Sequence, residues 1–234
     1  MEIMKNVEIN NPEIKDLLDQ WVELAFQGQP YDQFNTKRFK SVGEPGDKHS
    51  PMWAGNKKDY YISDEHRDEI IAQGSAHLGW PLTGRFYDMR KHNQDLSIDL
   101  GHNPMEQYAK LDEKMQTTLA TNANALASVY PPGGFISWHN NANSPAYNLI
   151  LTWSEDGSGY WKHVNPYTGK TEIVQDKPGW QCKAFYFGAY EENDPLSLVY
   201  HMATTNCWRM TCSYMFNRTH KMFWEDMIEE IETP

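Results

Sequence analysis

The chain has only three cysteines, Cys182, Cys207 and Cys212, and no Cys-x-x-Cys pair among its 234 residues. An odd count at loose spacing argues against a disulfide framework and a structural zinc site, and fits a reducing compartment. No basic cluster is present: 21 Lys and Arg stand against 32 Asp and Glu, a net charge of -11. Such a chain repels nucleic-acid phosphates overall, which argues against sequence-independent nucleic-acid binding. No apolar run approaches the roughly 20 residues that cross a bilayer. The first residues, MEIMKNVEINNPEIKD, are charged and lack the apolar segment of a secretory signal. A cytoplasmic protein without a membrane partner is therefore expected. Phosphate-cradling glycine loops, HExxH, GxSxG and dinucleotide fingerprints are also missing.

Aromatic residues are abundant, with 9 Trp, 13 Tyr and 9 Phe, so the chain can bury a proper core despite its low mean hydropathy. A single domain over 1–234 is expected, in three parts: helical and irregular over 1–125, a β core over 126–217, and a C-terminal helix over 218–234. Asn11-Pro12 opens a helix with Leu17, Leu18, Trp21, Leu24 and Ala25 on one face. Residues 27–62 read as a long loop region. Ser63 caps a short helix carrying Ile70 and Ile71, and Asn103-Pro104 starts a longer one reaching Leu119. The last helix runs from about His220, with Phe223, Trp224, Met227, Ile228 and Ile231 on one side.

From Leu126 the apolar period changes to two, which predicts strands near 128–139, 146–153, 159–164, 171–175, 183–188, 196–202 and 208–216. The connectors Asp156-Gly157-Ser158-Gly159 and Asn165-Pro166-Tyr167-Thr168-Gly169 have hairpin-turn chemistry. Seven short strands with such turns predict a sandwich or jelly roll in an α+β chain.

His139 and His201 each fall at the end of a predicted strand, and Asn141 lies two residues after His139. Two imidazoles and one carboxylate on one face of an octahedron leave three positions open for a chelating cosubstrate and oxygen, and here an asparagine stands in the carboxylate's place. Nine histidines scattered over a soluble chain could place two near strand ends by chance. Strand alternation sets Arg209, Thr211 and Ser213 on one face and Trp208, Met210, Cys212, Tyr214 and Phe216 on the other. An arginine fork beside a hydroxyl suits the far carboxylate of a dicarboxylic acid; the bland alternative is a polar face meeting water. Lys183 is a weaker carboxylate anchor, and Trp138 and Trp161 are candidates for lining a cleft. His163 lies near the same strands, where a solvated position is the ordinary reading.

The order Tyr130-x-x-Gly133, His139-x-Asn141, then His201 followed by Arg209-x-Thr211, resembles the Fe(II)/2-oxoglutarate-dependent dioxygenases, and most of all their prolyl-hydroxylase-like branch. The resemblance spans about 126–217. It implies a double-stranded β-helix, the family's jelly roll, buttressed by the N-terminal helices and the C-terminal helix. It implies a hydroxylase acting on a C–H bond of a protein or amino-acid side chain, with Fe(II) and 2-oxoglutarate as cofactors. His139 and His201 would be iron ligands, Arg209 and Thr211 would hold the 5-carboxylate of 2-oxoglutarate, and Tyr130 or Tyr147 would hydrogen-bond the cosubstrate. The departure is Asn141, where the family carries Asp or Glu. Three outcomes follow: a site held by two histidines with water or Asn141, a replacement carboxylate such as Glu155 or Asp156, or a binder without turnover. The competing expectations are a non-catalytic jelly-roll protein binding a small acid or carbohydrate, and a zinc-type or cupin-like enzyme using the same histidines.

Overall fold

The computed structural model describes residues 4–26, 58–74, 84–89, 104–121, 123–142, 144–189 and 198–234. Among the described residues eleven strands form two antiparallel sheets, with helices packed against both, an α+β arrangement. In chain order the elements are β1 (Met4–Val7), α1 (Pro12–Phe26), α2 (Lys58–Tyr61), α3 (Asp64–Gln73), β2 (Gly84–Arg85), β3 (Tyr87–Asp88), α4 (Pro104–Thr118), β4 (Asn124–Tyr130), β5 (Phe135–His139), β6 (Ala146–Ser154), β7 (Tyr160–Val164), β8 (Thr171–Gln175), β9 (Gly179–Phe187), β10 (His201–Thr204), β11 (Arg209–Asn217) and α5 (Lys221–Glu232). One sheet has the order β1-β9-β6-β11-β4-β3, the other β2-β5-β10-β7-β8. From β4 to β11 the chain therefore passes back and forth between the sheets.

The helices form where the sequence signals them. Asn11 caps α1 by accepting from the Glu13 and Ile14 amides at 3.0 and 3.2 Å. Ser63 Oγ accepts from His66 N at 3.1 Å and starts α3, which buries Ile70 while Ile71 stays exposed. In α1 the residues Leu17, Leu18, Trp21 and Ala25 are buried and Leu24 partly so. They meet Met115 and Leu119 from the α4 region and the outer face of the larger sheet, including Leu149, Leu151, Ala184, Met210, Cys212 and Tyr214. The alternation of β11 thus gives its apolar face to the helices, as the sequence predicts. In α5 only Ile228 and Ile231 are fully buried; Phe223, expected on the packed side, is exposed.

Two expectations are corrected here. The predicted strand 128–139 is two strands in different sheets, because the chain turns through Pro131–Gly134. Gly134 is needed there: a Cβ would lie 2.7 Å from Pro131 O and 2.9 Å from Arg85 O. The loop predicted over 27–62 ends in helix α2, and residues 27–57 lie outside the described residues. The three cysteines are buried, and none forms a disulfide. Among the described residues no helix is long and apolar enough to cross a membrane.

Candidate functional site

A cavity of about 540 Å³ opens between the two sheets. The smaller sheet supplies His139, Trp161 and His201; the larger supplies Tyr130, Thr152, Lys183, Arg209, Thr211 and Ser213. The face of β11 that the sequence left open between water and a ligand is buried, with Arg209, Thr211 and Ser213 no more than 7% exposed.

His139 closes β5 and His201 opens β10, and the two are directly paired across these strands. A strand was predicted to end at His201; instead the ladder to β5 and β7 begins there. The paired rings have centroids 4.1 Å apart. Nδ1 of His139 lies 2.8 Å from Ser137 O, and Nδ1 of His201 lies 2.9 Å from Val199 O. A carbonyl only accepts, so each Nδ1 carries the proton and each Nε2 carries the lone pair. That is the tautomer a metal ligand needs, fixed by backbone. Burial, and the charge His139 would carry beside it, hold His201 well below the ordinary imidazole range despite the bond to Val199.

Asn141 lines the same cavity just beyond β5, where the extended run ends in an Asn140 turn: the side-chain oxygen of Asn140 accepts from Ala142 N at 2.8 Å, and Ala142 has φ of +54°. Glu155 and Asp156 are elsewhere, at the turn after β6. Glu155 accepts from Trp208 N at 3.1 Å and Asp156 from Ser158 N at 2.8 Å. Among the described residues no group of three or more His, Cys, Asp or Glu side chains is placed to hold a metal. The candidate metal ligands that line this cavity are the two imidazoles, with the Asn141 amide as a neutral neighbour.

At another part of the cavity Arg209 is fixed on three sides. Its Nε donates to Asp176 Oδ2 at 2.8 Å, a nitrogen of its fork donates to Thr211 Oγ1 at 2.5 Å, and its guanidinium carbon lies 5.4 Å from the centre of the Tyr130 ring. Arg209 and Tyr130 are also register partners on β11 and β4. Asp176 had no signal in the sequence, since Gln-Asp-Lys-Pro reads as an ordinary turn. Gly159 makes room for the ion pair: a Cβ there would fall 2.5 Å from Asp176 Oδ2 and 3.3 Å from Arg209 Cδ. Gly159→Ala is accordingly expected to push the carboxylate off Arg209 and to lower unfolding free energy by about 1–3 kcal/mol in a urea titration.

Tyr147 belongs to the other side of the sheet. It packs against Tyr186 and Trp224, with centroids 4.6 and 4.8 Å away, and does not line the cavity. Trp138 is likewise buried outside it, with Ile70, Leu198, Tyr200 and Met202. His163, expected in water, is fully buried. It pairs with His201 across β7 and β10 and stacks on Trp161 at 4.9 Å. Its Nε2 lies 3.2 Å from Glu172, yet burial outweighs that carboxylate and lowers its pKa.

No protein-family model and no curated protein matches the chain in sequence. Solved structures match more faintly. A prolyl-4-hydroxylase from Pseudomonas putida is 14% identical over 66% of this chain and 85% of its own, with a TM-score of 0.32. The ribosomal oxygenase YcfD from Escherichia coli is 15% identical over 62% of this chain but only 35% of its own, with a TM-score of 0.29. A predicted oxalate decarboxylase from Thermotoga maritima is 16% identical over 45% of this chain and 72% of its own, with a TM-score of 0.25. All three scores fall below 0.5, so the functional reading rests on the chain's own residues.

Proposed function

We propose that the chain is an Fe(II)- and 2-oxoglutarate-dependent oxygenase that hydroxylates a C–H bond, of a protein or amino-acid side chain. In this reading β4–β11 form a double-stranded β-helix, four strands to each sheet, with the site between them. The observation that carries it is the pair of backbone-fixed imidazoles in one cavity with an oriented arginine fork. His139 and His201 would hold the iron through Nε2, and Asn141 would offer its amide oxygen as a third, neutral donor. Bound iron and 2-oxoglutarate supply the oxygen activation, coupled to decarboxylation of the cosubstrate. The chain's own part is geometric and electrostatic. Ser137 and Val199 keep both histidines in the binding tautomer. Asp176 and Thr211 hold the Arg209 fork ready for a carboxylate, so little ordering remains on binding. Trp161, Ile136 and Phe187 give the cavity apolar walls that exclude water.

The decisive experiment is an anaerobic titration of Fe(II) with 2-oxoglutarate, followed by the visible metal-to-ligand charge-transfer band. Its appearance supports the reading. Its absence from folded protein returns the cavity to a non-catalytic binding role for a small acid. Asn141→Asp is expected to tighten Fe(II) binding about 10-fold or more, since even indirect changes around metal ligands reach that range. Unchanged affinity by calorimetry would mean that residue 141 does not face the metal.

A further inference from the structure

Lys183 lines the cavity from β9; the sequence offers it only as a weaker carboxylate anchor, and the proposed function gives it no role. The residue is 2% exposed, and its ammonium donates to Gln181 Oε1 at 3.3 Å. A lysine this closed off from water is costly unless an anion faces it. Lys183 and Arg209 are the only charged side chains among the described residues lining the cavity.

Arg209 does not supply a net charge. Its Nε is bonded to Asp176, and the two side chains are 4% and 0% exposed, a buried pair that is neutral as a unit. Counting Arg209, Asp176 and Lys183 leaves one positive charge, and it belongs to Lys183. We propose that Lys183 is the specificity-determining residue of this site: Asp176-held Arg209 orients the far carboxylate of a 2-oxo dicarboxylic acid, and Lys183 provides the charge that selects for it. This rests on the reading that a 2-oxo acid binds here. Burial pulls the ammonium down to about 8, with Asp176 raising it and Arg209 lowering it, so a bound carboxylate relieves a group that folding alone leaves strained.

Binding is measured by calorimetry on the Fe(II)-loaded protein without oxygen, with 2-oxoglutarate and with 2-oxopentanoate, which carries a methyl group in place of the far carboxylate. The wild type is expected to prefer 2-oxoglutarate. Lys183→Met, close in size and apolar, is expected to weaken 2-oxoglutarate about 10- to 100-fold and to leave 2-oxopentanoate unchanged. Adding Asp176→Asn to Lys183→Met uncovers the charge of Arg209 and is expected to recover much of the loss, which a merely structural lysine would not allow. If Lys183→Met binds 2-oxoglutarate as the wild type does, or loses both acids equally, Lys183 does not select the ligand, while the oxygenase reading stands. If the wild type binds neither acid, the oxygenase reading falls first and this inference with it.

Discussion

On the oxygenase reading, His201→Ala is expected to abolish the charge-transfer band and to bring turnover of 2-oxoglutarate to background. The expectation follows from the number of donors. Two imidazoles face one another at a centroid distance of 4.1 Å, and among the described residues no third His, Cys, Asp or Glu is placed with them to hold a metal. A site with a carboxylate to spare tolerates the loss of one ligand better than this one, where a single imidazole and a neutral amide would remain. Loss of a hydrogen-bond partner to a ligand already costs about 10- to 100-fold in metal affinity, and loss of the ligand itself exceeds that. Retained turnover in a folded His201→Ala protein would sink the assignment. The alanine leaves Val199 O and the β10 ladder in place, so the melting temperature reports whether the fold survives.

Arg209→Met is expected to lower unfolding free energy by about 3–5 kcal/mol, the range for stripping one partner from a buried ion pair. The Asp176 side chain is fully buried, and its Oδ1 is without a hydrogen bond, so removing Arg209 strands a carboxylate in the interior. The effect is one of desolvation, and a second substitution tests that. Arg209→Met with Asp176→Asn removes both charges and should be markedly more stable than Arg209→Met alone. Arg209→Lys is expected to fall between, because one ammonium cannot span Asp176 and Thr211 as the fork does. Urea titrations of the three variants decide the point. A change below about 1 kcal/mol for Arg209→Met would show that water screens the pair.

Much of this site could be read from local pattern. Alternation along 208–216 separates Arg209, Thr211 and Ser213 from the helix-packed set Met210, Cys212, Tyr214 and Phe216, and the structure keeps that separation. The same rule, applied to β6, would have removed Tyr147 from the candidate cosubstrate contacts. Tyr147 shares its parity with Leu149, Leu151 and Trp153 on the helix side, whereas Asn148, Ile150 and Thr152 face the cavity. The signal was present and weaker than the appeal of a tyrosine near the start of a strand. Phe223 marks the opposite case: helical periodicity put it on the apolar side of α5, but the packed stripe is narrower and centres on Ile228 and Ile231.

Asp176 and His163 had no such signal. Asp176 reaches Arg209 across 33 positions of chain, and His163 is buried because β10 pairs with β7. The division of 128–139 into β4 and β5 is of the same kind. Its apolar residues run on through the turn, and only the pairing of β4 with β11 and of β5 with β10 assigns the halves to different sheets.

From local pattern the sequence marked the starts of α1, α3, α4 and α5, the strand period from about residue 126 onward, the polar face of β11 and the presence of two histidines, an arginine and a hydroxyl in a suggestive order, but not α2 or strands β1–β3. These depend on caps, turns and alternation, interactions that close within a few residues. The tertiary structure alone decided that His139 and His201 face each other, that Lys183 and Arg209 share a cavity, and that Asp176 neutralises Arg209. Those arrangements follow from strand register between segments 62 positions apart in the case of the histidines, and register is set by hydrogen bonds and packing across the sandwich that no local window contains.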